Sequence, residues 1–331
     1  MVSLAGWLDA PYYGICRLMC DTVPLSRQSR IWRVFATQNR LEVTLFFIRQ
    51  WWIRGCFLLV CLCAVTGSQA DDFSDGYRLY EQQRYEQAYP LILRSANAEN
   101  PLAQTLLGIM HEEGHGIPIN MHEALKWYRK GAENGSSTAQ AVMGRLYHDG
   151  RIIKRNRVLA AYWFRMAAEK GHVLAQRMLA ESYNKGEGVL RDNIKALYWY
   201  HRAAEQGDTQ AAYMLGYLYY RGGSVIKNDT EAIRWLSLSH QQGNKRATAL
   251  LGVMTIRGHG IQSNPLRGIE LIGTAAQDGL PEAQYLLGYA YENGGIVQKN
   301  ETEALKWYRM AADQGFFEAR QRLQEIEEGD E

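Results

Sequence analysis

The chain repeats itself every 36 residues, and no other property limits its fold as tightly. Six segments at that spacing align without a gap: HEEGHG at 111–116, YHDGRI at 147–152, YNKGEG at 183–188, YYRGGS at 219–224, TIRGHG at 255–260 and YENGGI at 291–296. The fourth residue is always glycine, from Gly114 through Gly150, Gly186, Gly222 and Gly258 to Gly294. Small residues hold a second column (Gly108, Gly144, Ala180, Gly216, Gly252, Gly288), and Trp127, Trp163, Trp199, Trp235, Leu271 and Trp307 hold a third. A unit of this length cannot bury an apolar face alone, so copies must stack, and stacked copies make a solenoid.

Each unit reads as two helices. Positions 103, 106, 107, 110 and 111 are apolar or aromatic in most copies, which is one face of a helix. The small residue at 108 lets a second helix approach closely, and Gly114 stops the first helix. The second helix starts at Asn120, Asn156, Asp192, Asn228, Asn264 and Asn300, side chains that accept the unpaired N–H groups of a first turn. Glu123, Glu231 and Glu303 add a partial capping box. The helix carries the Ala124, Ala160, Ala196, Ala232, Gly268 and Ala304 column and ends near Gly135, Gly171, Gly207, Gly243, Gly279 and Gly315. Ala88 sits 36 residues before Ala124, so a shorter, degenerate unit precedes the six full ones.

The expected organisation is therefore an N-terminal extension over 1–70 and a solenoid over 71–331. The solenoid divides into a degenerate unit at 71–99, full repeats at 100–315 and a polar cap at 316–331, where FFEARQRLQEIEEGDE starts like a first helix and then turns acidic. Residues 55–65, GCFLLVCLCAV, are too few to span a bilayer, which takes about 20 residues, and they suit the apolar core of a signal peptide. Arg49 and Arg54 precede them, and Ser68 and Ala70 form a small-residue cleavage pattern, so cleavage is expected after Ala70. The long stretch before the apolar run suggests a true start near Val43 or Leu45; the alternative to cleavage is an inner-membrane anchor at 53–65. The expected location is periplasmic or exported, with membrane contact only if that segment stays uncleaved.

The formal charge of +2 over 331 residues gives no electrostatic footprint for nucleic acid. All five cysteines lie within the first 63 residues, so the repeats can form neither a disulfide framework nor a thiolate metal site. His111-Glu112-Glu113-Gly114-His115 matches H-E-x-x-H, but a zinc site needs both histidines on one continuous helix. Gly114 occupies the helix-stop column, His115 falls in the loop, and no third ligand is recognisable, so no metal and no cofactor are expected. The sequons at Asn134, Asn228 and Asn300 read as helix-end and N-cap positions. No general acid/base pair, nucleophile triad or phosphate loop stands out.

The pattern A-x-x-L-G-x-x-Y-x-x-G followed by K-A-x-x-W-Y-x-x-A-A-x-x-G resembles the Sel-one-like repeat family, relatives of the tetratricopeptide repeats. Its clearest copies are AQYLLGYAYENGG with EALKWYRMAADQG and AAYMLGYLYYRGG with EAIRWLSLSHQQG. The resemblance implies an all-α fold, a right-handed α/α superhelical solenoid of about seven 36-residue helix-loop-helix repeats with a C-terminal capping helix. It also implies a non-catalytic scaffold or adaptor, which in bacterial members with signal peptides works in the cell envelope and binds a protein or peptide partner on the concave face. One alternative is an immunity protein that neutralises a secreted toxin. Another is a cell-wall-directed hydrolase, although the members linked to hydrolysis resemble cysteine-rich repeats. Ala180 for glycine, Leu271 for tryptophan and Thr255 for tyrosine depart from the pattern.

With the packing face fixed, positions 102, 105, 109, 112 and 113 and their translates are free to vary and would line the groove. The candidate partner-binding residues there are Arg145, Arg177, Tyr213, Tyr217, Tyr220, Arg221, Arg246, Arg257, Tyr285 and Tyr289. Tyrosine and arginine together are the composition of an interface hot spot.

Overall fold

The structure is a computed structural model that describes residues 72–223 and 225–329. The expected signal segment, the cleavage point after Ala70, the anchor at 53–65 and all five cysteines lie outside the described residues. Residues 72–331 form one compact unit. Among the described residues there are fifteen helices and no strand.

Helix α1 covers residues 72–81 and α2 Tyr85–Asn97. First helices then alternate with second helices: α3 Pro101–Glu113 and α4 Met121–Glu133, α5 Ser137–Asp149 and α6 Arg157–Glu169, α7 Val173–Lys185 and α8 Asn193–Glu205. The series continues with α9 Thr209–Arg221 and α10 Asp229–Gln241, α11 Lys245–Arg257 and α12 Pro265–Gln277, α13 Pro281–Asn293 and α14 Glu301–Asp313. The cap is α15, Phe317–Gly329. Seven two-helix units precede it, numbered one to seven below. The period follows from the parts: two helices of 13 residues, the loop 114–120 inside a unit and the turn 134–136 between units.

The Asn/Asp column caps every second helix of units two to seven, as Asn120 does by accepting from the Glu123 N–H at 3.1 Å. The loop is closed by a backbone bond from that same residue to the last turn of the first helix: Asn120 N–H to the His111 carbonyl at 2.8 Å, repeated down to Asn300 and Tyr291 at 2.9 Å. Gly114 ends α3 in the left-handed conformation at φ 76°, which an L side chain adopts only at a cost.

Within each unit an aromatic or aliphatic side chain lies flat on the partner helix. A Cβ on Gly108 would come within 2.6 Å of the Tyr128 ring, and one on Gly144 within 2.5 Å of Phe164. Between units, a buried alanine column (Ala103, Ala139, Ala175, Ala211, Ala247, Ala283, Ala319) lets the helices close up. A second device ties the units together through buried glutamines. Gln104 donates to the Ala96 carbonyl at 3.0 Å, Gln140 to Ala132, Gln176 to Ala168 and Gln284 to Ala276. Three of these amides also accept from the end of their own unit's second helix: Gln104 from Asn134 at 3.0 Å, Gln176 from Gln206 at 2.7 Å and Gln284 from Gln314 at 2.8 Å. The Oε1 of Gln140 has no such partner, because Lys170 stands in the donor column and bonds the Gly135 carbonyl instead. Each buried amide satisfies a carbonyl at a helix end that water cannot reach, and so fixes how one unit sits on the next.

Candidate protein-binding face

First helices approach one another, α5 with α7 and α9 with α11, more closely than any two second helices do. They line the inner side of the stack. Of the five positions that the spacing left free on them, the structure keeps two largely exposed, exposes a third in two units only and turns two into packing. Position 113 is exposed in every unit from two to seven: Glu113, Asp149, Lys185, Arg221, Arg257 and Asn293. Position 102 is exposed in five of those six, at Leu102, Thr138, Leu174, Arg246 and Glu282, and 109 in Arg145 and Tyr289. Position 105 lies against the neighbouring unit, and 112 against its own second helix, where the Tyr128 hydroxyl donates to Glu112 and that of Tyr308 to Glu292.

The ten candidate residues sort accordingly. Arg145, Arg221, Arg246, Arg257 and Tyr289 are exposed. Arg177 is engaged within the fold, with 3.0 Å ion pairs to Glu181 and to Asp208, 31 residues further on. Burial works against its positive charge, but the two carboxylates outweigh it and hold the guanidinium above its ordinary range. Tyr213 and Tyr217 sit ring to ring at 6.3 Å, and burial pushes the Tyr213 hydroxyl up. Tyr220 packs into the core under units five and six, and its hydroxyl accepts from Arg257 at 3.3 Å. Tyr285 packs between Tyr308 and Phe316, each ring centroid 5.5 Å away and tilted to it. Tyr213, Tyr220 and Tyr285 thus pack into the stack, while the exposed members of the ten are four arginines and Tyr289.

Two concavities lie along the last three units. An open groove of about 560 Å³ runs across the starts of α9, α11 and α13, with Arg246, Lys245 and Glu282 on its walls and Phe316 at its far end. A smaller pocket of about 220 Å³ opens between α11, α12 and α13; its walls are apolar and it includes Arg257 and Tyr289.

The His111–His115 segment does not form the zinc geometry. Helix α3 ends at Glu113, and His115 lies beyond the stop, stacked on the Tyr85 ring at 4.3 Å and 3° and hydrogen-bonded through Nδ1 to the Tyr80 hydroxyl at 2.9 Å. It fastens unit one to unit two. Burial pushes His111 below its ordinary value. Among the described residues no group of three or more His, Cys, Asp or Glu is placed to hold a metal ion. Among those residues, too, no helix is long and apolar enough to cross a membrane.

Paired antiparallel helices, stacked in register by recurring columns and leaving one helix face open, define an α/α solenoid of the kind that presents an inner surface to other proteins. The Sel1 repeat matches six times without a gap, at 101–136, 137–172, 173–208, 209–244, 245–280 and 281–316. The chain belongs to the Sel1-repeat family. The crystal structure of c5321, a protective antigen present in uropathogenic Escherichia coli strains, shares 32% identity at a TM-score of 0.66, covering 79% of this chain and 57% of that one. A Sel1 repeat protein from Oxalobacter formigenes shares 31% identity at a TM-score of 0.64, covering 73% of this chain and 96% of the other. The Saccharomyces cerevisiae chitin synthase regulator SKT5 is 48% identical over 48 residues, which are 14% of this chain and 7% of SKT5. Sel1-repeat proteins are in general protein-binding scaffolds.

Proposed function

We propose that this chain is a non-catalytic scaffold of the bacterial cell envelope that binds a protein or peptide partner along the inner face of its first helices. The observation that carries the reading is the contrast between columns. Positions 103 and 108 hardly vary because packing consumes them, whereas the exposed position 113 runs Glu, Asp, Lys, Arg, Arg, Asn. A surface that stays exposed in every unit while its charge changes from unit to unit is suited to reading an extended partner. The envelope location rests on the apolar run at 55–65 and the small residues up to Ala70. On this reading the chain acts in the periplasm or outside the cell.

The test uses the chain as bait against a cell-envelope extract, with mass spectrometry as readout. The control bait carries Arg221→Ala, Arg246→Ala and Tyr289→Ala, three exposed positions whose loss leaves the core untouched. A partner captured by the first bait and lost from the second supports the reading. A partner held equally by both moves the site off the inner face. Turnover of a cell-wall substrate, abolished by a single substitution, would replace the scaffold with an enzyme.

A further inference from the structure

Unit six departs from the packing columns in one direction only. Ile272, like Leu236 in unit five, stands where Tyr128, Phe164, Tyr200 and Tyr308 supply a ring, and Ala290, contributed by unit seven, stands like Ser182 where Met110, Leu146, Leu218 and Met254 supply a long side chain; Ile272 and Ala290 alone fall at the same junction. The two shortened positions meet between α11, α12 and α13, and the missing volume is the 220 Å³ pocket, walled by Ile256, Ile269, Ile272, Leu286 and Ala290. Hydrocarbon left in contact with so much open space forfeits dispersion contacts that a fitted apolar group would restore. The volume suits one large side chain and is far too small for a helix.

The rim says what surrounds that side chain. Arg257 is the one charged residue lining the pocket. It hydrogen-bonds Tyr220 and takes part in no ion pair among the described residues, and neither does Arg221, which precedes it in the same exposed column. Neighbouring packed helices lie about 8–10 Å apart, the reach of roughly three residues of extended chain. We propose that this pocket anchors a single Leu, Met or Phe side chain of an extended acidic segment in a partner protein, with carboxylates about three residues apart resting on Arg257 and Arg221. The proposal rests on the scaffold reading and adds to it the chemistry of the partner.

The test selects displayed random peptides of about a dozen residues on the full chain as the cell processes it, then measures the winners by fluorescence polarisation. Two variants are compared with the parent chain. Ala290→Met inserts the residue that the column already holds at Met110 and Met254, so it fills the pocket without disturbing the fold, and its melting temperature at or above that of the parent verifies this. Arg257→Glu reverses the rim charge at an exposed position. The winners are expected to share one large apolar residue beside Asp or Glu, and to lose about tenfold or more in affinity on each variant. Winners that are basic, that lack the apolar residue, or that bind Ala290→Met undiminished overturn the pocket while leaving the scaffold reading standing, since peptides still bind. Failure to select any peptide overturns it as well, and the envelope-extract experiment then decides separately whether the scaffold reading falls with it.

Discussion

Replacing Gly188 by alanine tests whether the loops between helices hold neighbouring units together. Gly188 lies in the loop of unit four at φ +75°, and a Cβ there would meet the Arg157 carbonyl oxygen at 2.0 Å and its carbon at 2.3 Å. Gly171, at φ +87° in the turn between units three and four, has nothing within 4 Å. An alanine at either site adopts a left-handed backbone at a cost of about 1 kcal/mol. Both substitutions change the freedom of the unfolded chain alike, so that contribution cancels in the comparison. What remains is the contact. A carbonyl inside a helix cannot swing aside as a side-chain tip can, so the loop must lift off the start of α6, at about 2 kcal/mol of overpacking. Gly188→Ala should therefore lower stability by about 2 kcal/mol more than Gly171→Ala does. Equilibrium urea unfolding followed by tryptophan fluorescence measures both, since Trp163 and Trp199 flank the junction. Amide exchange in α6 and α7 locates the loss if the stack opens in parts. Two variants within about 0.5 kcal/mol of one another would refute the argument that the loop is pressed against α6.

Glu99 occupies the glycine column at φ 64°, so Glu99→Gly should relieve the strain and raise stability by about 0.5 kcal/mol, the left-handed penalty less the added freedom of the unfolded chain; an unchanged urea midpoint would count against it. Gln284→Met keeps the volume but strips the Ala276 carbonyl of its side-chain partner and the Gln314 amide of the nearer of its two acceptors, at a cost of about 2 kcal/mol in urea unfolding, whereas an effect near zero would mean water serves the carbonyl. Glu292 is held below its ordinary 4.5 by the Arg322 guanidinium first, and also by the Tyr308 hydroxyl. Its contribution to holding the capping helix α15 is complete above that ordinary value and is lost as pH falls through the lowered one, so Glu292→Gln should flatten the acid limb of the stability profile and leave the neutral plateau's shape unchanged.

The columns carried most of the fold because each has one physical job that one residue type performs. Asn120 and its translates cap, Gly114 and its translates turn, and Gly108 admits a ring. The turns between units were not legible in the same way. Their N-caps are Asn100, Ser136, His172, Asp208 and Asn244, with Leu280 capping nothing, a mixture in which no single residue recurs often enough to stand out. The glutamine ladder was hidden for another reason: Gln176 takes meaning only from Ala168 and Gln206, which stacking brings to it. The inner face was half legible. Spacing identifies the positions a helix does not bury against its first neighbour, but it cannot say which of them a second neighbour covers. Arg177 and Tyr285 look as free in sequence as Arg145 and Tyr289, and the structure covers the first two. Ile272 and Ala290 were readable as departures from their own columns, and only their meeting at one junction gives them consequence.

A longer period underlies the 36-residue one. The second glycine of the loop recurs in alternate units only, as Gly116, Gly188 and Gly260, each at φ between 71° and 75°. Each lies on the first residue of the preceding unit's second helix: Tyr85, Arg157 and Asp229. The intervening loops have Arg151 at the position between the glycines of their neighbours, or Gly223 and Gly295, where a Cβ would meet nothing within 4 Å. Junctions between units therefore alternate between those pinned by a loop glycine on the helix below and those whose loops pack side chains instead, Ile153 in unit three and Ile296 with Val297 in unit seven, and the 220 Å³ pocket, with Ile296 in its wall, sits at one of the second kind. Trypsin can read the difference. Arg151, Lys154, Arg155, Lys227 and Lys299 are exposed in unpinned loops, and Arg191 is equally exposed in a pinned one. A protease needs several residues of local unfolding around the cleaved bond, and a pinned loop must first break its contact with the helix below. Early cuts should fall at the first five sites and spare Arg191, and Gly188→Ala should make Arg191 as sensitive as the rest. Cleavage at Arg191 in the parent chain as fast as at Lys227 would show that both kinds of loop open with the same ease, and the alternation would then carry no mechanical difference.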